Sequence, residues 1–212
     1  NTRMIAAVLF DCDGTLADSE PMITASLIDA LRDEGFTVTP DQVRAIFGRT
    51  LPEMAALLIG PLAVGQMDRI RANYRRHAVP RRPSVRPMPG ATALLGALAE
   101  RGIALGMVTN KVETSTAVQL AEFGWQTRFG AVIAADSVAR TKPAPDPAIE
   151  ALRRLGVPPE HSVFIGDTES DTQCGRDAGI PLVIGLTGTR PAKQLRAAGA
   201  THTVDSLDQV MT

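Results

Sequence analysis

Cysteine is nearly missing from this chain: Cys12 and Cys174 are the only two in 212 residues. A single pair cannot build the bridge framework of a small secreted fold, and a reducing compartment suits such thiols. Aromatic residues amount to 4%, so a 44% apolar composition must build its core mainly from Ala, Leu, Val and Ile. Charge of one sign is lacking as well. Lys and Arg number 22 against 23 Asp and Glu, which removes the basic field of a typical nucleic-acid binder. No apolar run approaches the roughly 18–20 residues of a membrane span, and no cationic–apolar leader is expected ahead of Met4. Histidine is scarce; His77, His161 and His202 share no metal-ligand spacing and read as structural. The expectation is a cytoplasmic protein with neither nucleic acid nor membrane as partner, and with monomer and homodimer both open.

What is present begins with a short, continuously apolar run, Met4 to Phe10, the texture of a strand buried on both faces. The segments IALGMVTN, FGAVIAAD, SVFIGD and PLVIGLT repeat that texture later. Between them lie helical patterns such as ATALLGALAERG and PAIEALRRLG, each closing on the Gly that a helix end favours. This alternation predicts an α/β protein with a doubly wound, Rossmann-like parallel sheet. From about Asp18 to Met88 the alternation stops, and four helical patterns follow one another without a convincing strand. One opens on Thr39-Pro40 with Gln42 behind, a capping-box arrangement. The proline-rich PRRPSVRPMPG leads back to the main body. The simplest organisation is an α/β core of residues 1–17 and 89–212, with a small α-helical domain of residues 18–88 inserted after the first strand.

In an open parallel sheet ligands bind beyond the carboxyl ends of the strands, so those ends locate the chemistry. The first strand stops at Asp11 and Asp13, the second at Thr109 and Asn110, and a later one at Asp167, with Asp171 four residues on. Lys142 follows the third strand in TKPAPDP. Carboxylates gathered at one rim repel, and one takes a proton unless a cation intervenes. A hard divalent ion removes the conflict, and Mg²⁺ suits one or two carboxylates plus phosphate oxygens. With Lys142 and the donors of Thr109 and Asn110, the set fits a phosphoryl group, whose transfer depends on charge neutralisation and positioning. Asp11 and Asp13 need not have the same role. One can attack phosphorus while the other handles the leaving-group proton.

These residues resemble the motifs of the haloacid dehalogenase superfamily of phosphohydrolases, in its phosphoglycolate-phosphatase-like branch with a helical cap. DCDGTLADS, VTN, TKP and GDTESD occur in the family's order and span nearly the entire chain. The resemblance implies a Mg²⁺-dependent hydrolase of a small phosphorylated metabolite. Asp11 would form an aspartyl-phosphate, and Asp13 would protonate the leaving oxygen and then activate water. Asp11, the backbone carbonyl of Asp13, and Asp167 would hold Mg²⁺ with support from Asp171, while Thr109, Asn110 and Lys142 bind the phosphoryl group. The residue 18–88 insertion would be the cap, hinged near Ala17–Ser19 and Pro87–Gly90, with Arg49 in FGRT meeting the substrate's distal anion. Asp13 argues against dehalogenation, since a halide leaves without a proton. The absence of Lys between Asp18 and Met88 argues against a Schiff base carried by the cap. The alternatives are a sugar-phosphate mutase of the same fold and a non-catalytic anion-binding module.

Other polar residues have plainer readings. Arg69, Arg71, Arg75, Arg76, Arg81, Arg82 and Arg86 read as a solvated face, with Asp68 the only acid alongside. Lys111 reads as a solvated side chain. Cys12, between the two acids, is expected to point to the opposite face and pack in the core.

Overall fold

Apolar runs and Gly-terminated helical patterns do fold into an open sheet flanked by helices. In the computed structural model, which describes residues 4–211, the chain starts with β1 (Ala7–Phe10) and β2 (Ala17–Asp18). Then come α1 (Glu20–Asp33), α2 (Pro40–Ala45), α3 (Leu51–Ile59), α4 (Gln66–Arg81) and β3 (Arg86–Pro87). The remainder is α5 (Ala91–Glu100), β4 (Ala104–Val108), α6 (Glu113–Glu122), β5 (Ala131–Ile133) and α7 (Asp146–Leu155). It ends with β6 (Ser162–Gly166), α8 (Glu169–Asp177), β7 (Leu182–Leu186), α9 (Ala192–Ala198) and β8 (His202–Val204). Two compact units result: Ala17–Arg86, and the chain through Leu16 joined to everything from Pro87 onward. The sequence-based division, at 17/18 and 88/89, lies one and two residues from these junctions.

The larger unit is built on a six-stranded sheet in the order β5-β4-β1-β6-β7-β8, with every neighbouring pair parallel. In chain order this is the 3-2-1-4-5-6 arrangement of doubly wound folds, whose crevice opens where the order reverses. That point lies between β1 and β6. The AVLF run of β1 is central and buried on both faces, which is why it has no polar alternation. Phe10 is level with Met107 on one side and Ile165 on the other, so Asp11, Thr109 and Asp167 emerge at the same rim. Beneath them Leu9, Ile133, Leu152 and Phe164 share one apolar cluster, and α7 ends on Gly156 at φ 68°. β8 was not anticipated. It is a three-residue edge strand, partly exposed, so it carries no apolar run.

The smaller unit has its own core, in which Leu27 and Leu31 of α1 meet Val43, Phe47 and Ile70. Its helix starts are set locally. Thr39 and Gln42 exchange bonds of 3.3 and 2.8 Å at the head of α2, and Thr50 with Glu53 repeats the device at α3. The arginines of α4 form a largely solvated face, as expected, and several of them also find acidic partners. Arg69 pairs with Glu34 at 3.0 Å, Arg76 with Asp33 at 2.6 Å, and Arg81 with Asp29. These acids lie on α1 or directly after it, some forty residues away in sequence, so inspection of the α4 neighbourhood misses them. His77 also contacts Asp33, at 2.7 Å. Among the described residues no helix is long and apolar enough to cross a membrane.

Candidate active site

At the rim of the larger unit the chain buries charge that has to be compensated. The backbone N–H of Asp11 continues the β1–β6 ladder by donating to the Ile165 carbonyl at 2.9 Å, which fixes the Asp11 side chain over the crevice. Lys142 reaches it from the loop after β5. Its ammonium donates to Asp11 Oδ1 at 2.6 Å, Asp171 Oδ1 at 2.6 Å and the Val108 carbonyl at 2.8 Å, so all three donors are used. Lysine is almost never buried without such partners, and this one is 2% exposed.

Asp167 and Asp171 complete the cluster from the end of β6 and the first turn of α8. Asp171 Oδ2 accepts from the backbone N–H and hydroxyl of Thr168, at 2.9 and 2.7 Å. Asp171 therefore caps its helix with one oxygen and holds Lys142 with the other. Asp167 Oδ1 accepts from the Thr15 hydroxyl at 2.7 Å, but its buried Oδ2 has no hydrogen-bond partner among the described residues. Two glycines allow the close approach. A Cβ on Gly14, where φ is +85°, would lie 2.2 Å from Asp167 Oδ2, and one on Gly166 would lie 2.2 Å from the Asp171 Cβ.

Asp11, Asp167 and Asp171 present carboxylate oxygens within 4.8 Å of one another. Three acids around one ammonium carry surplus negative charge. Burial, and then the Asp171 charge, hold the Asp11 carboxyl well above the ordinary range, while Lys142 works against the rise. The same two causes push Asp167 up to about 7. Burial opposes the Lys142 ammonium, yet Asp11 and Asp171 outweigh it and its pKa is raised. A site with a buried orphan oxygen and more carboxylates than cations has the composition of a divalent-metal site with oxygen ligands.

Asp13 takes a different path from Asp11, although only one residue separates them. Its carboxylate lies outside the three-acid cluster and forms an ion pair of 2.7 Å with Lys111. Lys111 is not the solvated side chain expected of it: its side chain is 14% exposed, and its ammonium also donates to Gln119 Oε1. Cys12 is buried in the core as expected, and its Sγ lies 3.8 Å from the same Gln119 oxygen that Lys111 binds. Thr109 is buried, and its hydroxyl accepts from the Lys111 N–H at 3.1 Å. The Asn110 side chain bonds the backbone of Lys142 in both directions, at 3.0 and 3.1 Å. Asn110 thus orients the loop that delivers Lys142. Arg49 is exposed in the smaller unit, between α2 and α3. Sequence reasoning missed Thr15, Lys111 and Gln119, since no pattern in the chain marks a tertiary partner over such separations.

The model of the haloacid dehalogenase-like hydrolases matches residues 8–184. The chain belongs to that family. It is similar to the phosphoglycolate phosphatase of Xanthomonas campestris pv. campestris (strain 8004), with 33% identity over 190 residues, 89% of this chain and 86% of that protein. CbbY from Rhodobacter sphaeroides, solved in complex with phosphate, superposes with a TM-score of 0.84 at 25% identity, covering 96% and 95% of the two chains. A β-phosphoglucomutase from Clostridium difficile shares the fold, with a TM-score of 0.86 at 18% identity over 98% and 93%. This haloacid dehalogenase-like chain is accordingly an enzyme of a hydrolase family. Phosphoric monoester hydrolysis is the activity that its phosphatase relative's name carries.

Proposed function

We propose that the protein is a Mg²⁺-dependent phosphatase of small phosphomonoesters, with a phosphoglycolate-like ester as the leading substrate. The observation that carries this reading is Lys142 bridging Asp11 and Asp171 at 2.6 Å beside the unpartnered oxygen of Asp167. Asp11 and Asp167 would hold the ion, with the Asp13 carbonyl, and Asp171 would support them; the ion supplies neutralising charge to the phosphoryl oxygens. Asp11 attacks phosphorus, and the bond to the ester oxygen breaks as Asp13 gives that oxygen a proton. Water then attacks the aspartyl-phosphate, Asp13 takes a proton from it, and inorganic phosphate leaves with the Asp11 carboxylate restored. Lys142, whose three N–H donors are engaged here, contributes its positive charge to the transferring group, and Thr109 and Asn110 complete the phosphoryl site.

In this reading residues 18–88 form the substrate-selecting cap, hinged near Ala17–Ser19 and Pro87–Gly90, and Arg49 meets the distal anion. Charge removal at Arg49 is expected to raise KM for dianionic esters more than for a neutral-tailed one, and equal effects would discard that role. The deciding experiment is a panel of phosphate esters assayed for inorganic phosphate, with Mg²⁺ and with a chelator. Stoichiometric phosphate release that the chelator abolishes is expected, as is loss of release in Asp11→Asn with the fold intact. Isomerised substrate without free phosphate would identify a mutase instead. Full activity in chelator, or unchanged turnover of Asp11→Asn, would overturn the reading.

A further inference from the structure

Resting on the phosphatase reading, we infer that Lys111 is the positioning residue for Asp13, and that it keeps the proton-handling carboxylate out of the metal-type cluster. Asp11 and Asp13 leave the same strand end with one residue between them, yet each is held by its own lysine. Lys142 takes Asp11 into the cluster with Asp171, and Lys111 takes Asp13 away from it.

Every part of Lys111 is anchored. Its N–H donates to Thr109 Oγ1 at 3.1 Å, its carbonyl accepts from the Ala135 N–H at 2.9 Å, and its ammonium is bound by Gln119. Gln119 is 3% exposed on α6 and also faces the Cys12 thiol, so the anchor belongs to the core and not to the surface. An ammonium set this firmly fixes the carboxylate opposite it. Without it, Asp13 would lose its 2.7 Å ion pair beside a site that attracts cations and is lined with acids. An acid displaced by about 1 Å from the leaving oxygen can lose about 10²-fold in rate.

The test is the dependence of kcat/KM on leaving-group pKa across a series of aryl and alkyl phosphates, because this parameter reports bond cleavage up to departure of the alcohol. Poor leaving groups need the proton and good ones do not. Lys111→Met is expected to lower kcat/KM by about 10²-fold for an alkyl ester but by less than about tenfold for p-nitrophenyl phosphate, steepening the dependence as Asp13→Asn does. Lys111→Arg should restore the wild-type slope. Gln119→Leu, which keeps an apolar-compatible volume in the core, should steepen it partially and serves if Lys111→Met fails to fold. A uniform loss across the series, or no loss, with Asp13→Asn still steepening the slope, would overturn this inference and leave the phosphatase reading standing. A wild-type protein that releases phosphate from no ester would overturn both.

Discussion

At the scale of single residues, the site depends on where a side chain is absent as much as on where one is present. Gly14 combines a left-handed φ with a missing Cβ that would otherwise strike Asp167. Gly14→Ala should destabilise the protein by about 1–3 kcal/mol, read from urea unfolding, and raise the Mg²⁺ concentration needed for half-maximal activity. Wild-type metal dependence in a folded Gly14→Ala protein would contradict the close approach. Asn110 is a second such position, since its amide clamps the Lys142 backbone from both sides. Asn110→Ala should lower kcat about 10- to 100-fold while thermal unfolding shifts only modestly, because the loss is one of orientation. A variant with unaltered kcat would show that Lys142 is held well enough by its carboxylates. Asp11, Asp167, Asp171 and Lys142 were legible as a group because strand ends are recognisable in sequence, whereas the departure of Asp13 from that group was not. Nor was Lys111, because its environment is created by a residue eight positions downstream and by an acid from a distant chain segment.

At the scale of elements, local chemistry sets the boundaries. The Thr39–Gln42 box was readable because both members lie within one turn. Thr39→Ala should cost about 0.5–2 kcal/mol in the unfolding of the helical unit, measured by denaturant titration of a signal from that unit, with no change expected beyond α2. The apolar runs identify β1, β4, β6 and β7 for a comparable reason: central strands of a parallel sheet touch helices on both faces and cannot alternate, and β5, though at an edge, is mostly buried and keeps its run. β8, the opposite edge, escapes the same criterion because its residues are partly exposed and carry no apolar run. The α1–α4 ion pairs show the limit of reading one element at a time. The row of arginines is solvated, as it reads in sequence, but its acidic partners on and beside the neighbouring helix come into view only once the chain is folded.

For the whole molecule, burying surplus carboxylates makes stability depend on pH and metal together. Asp167 is raised from an ordinary carboxyl to about 7, and Asp11 is raised as well. Between about pH 4 and pH 7 the native state therefore binds more protons at these groups than the unfolded chain does. Their contribution to stability is greatest below that window and falls as pH rises through it. A divalent ion requires the deprotonated ligands, so its stabilising effect must grow in the same direction. The expected result is a Mg²⁺-induced rise in Tm that is small near pH 5 and larger near pH 8, compared with chelator at each pH. An increment constant across that range would contradict metal binding at these carboxylates.

Composition, periodicity and spacing were enough to establish the α/β class, the order of the elements around the central strands and the gathering of Asp11, Asp167, Asp171 and Lys142 at one rim. Those properties follow from rules that act within a strand or a turn, and from the constraint that parallel strands end together. Which oxygen of Asp167 lacks a partner, which lysine serves which acid, and what the α4 arginines bind were settled by packing. Such pairings join residues dozens of positions apart, and their geometry comes into being only when the chain has closed around them.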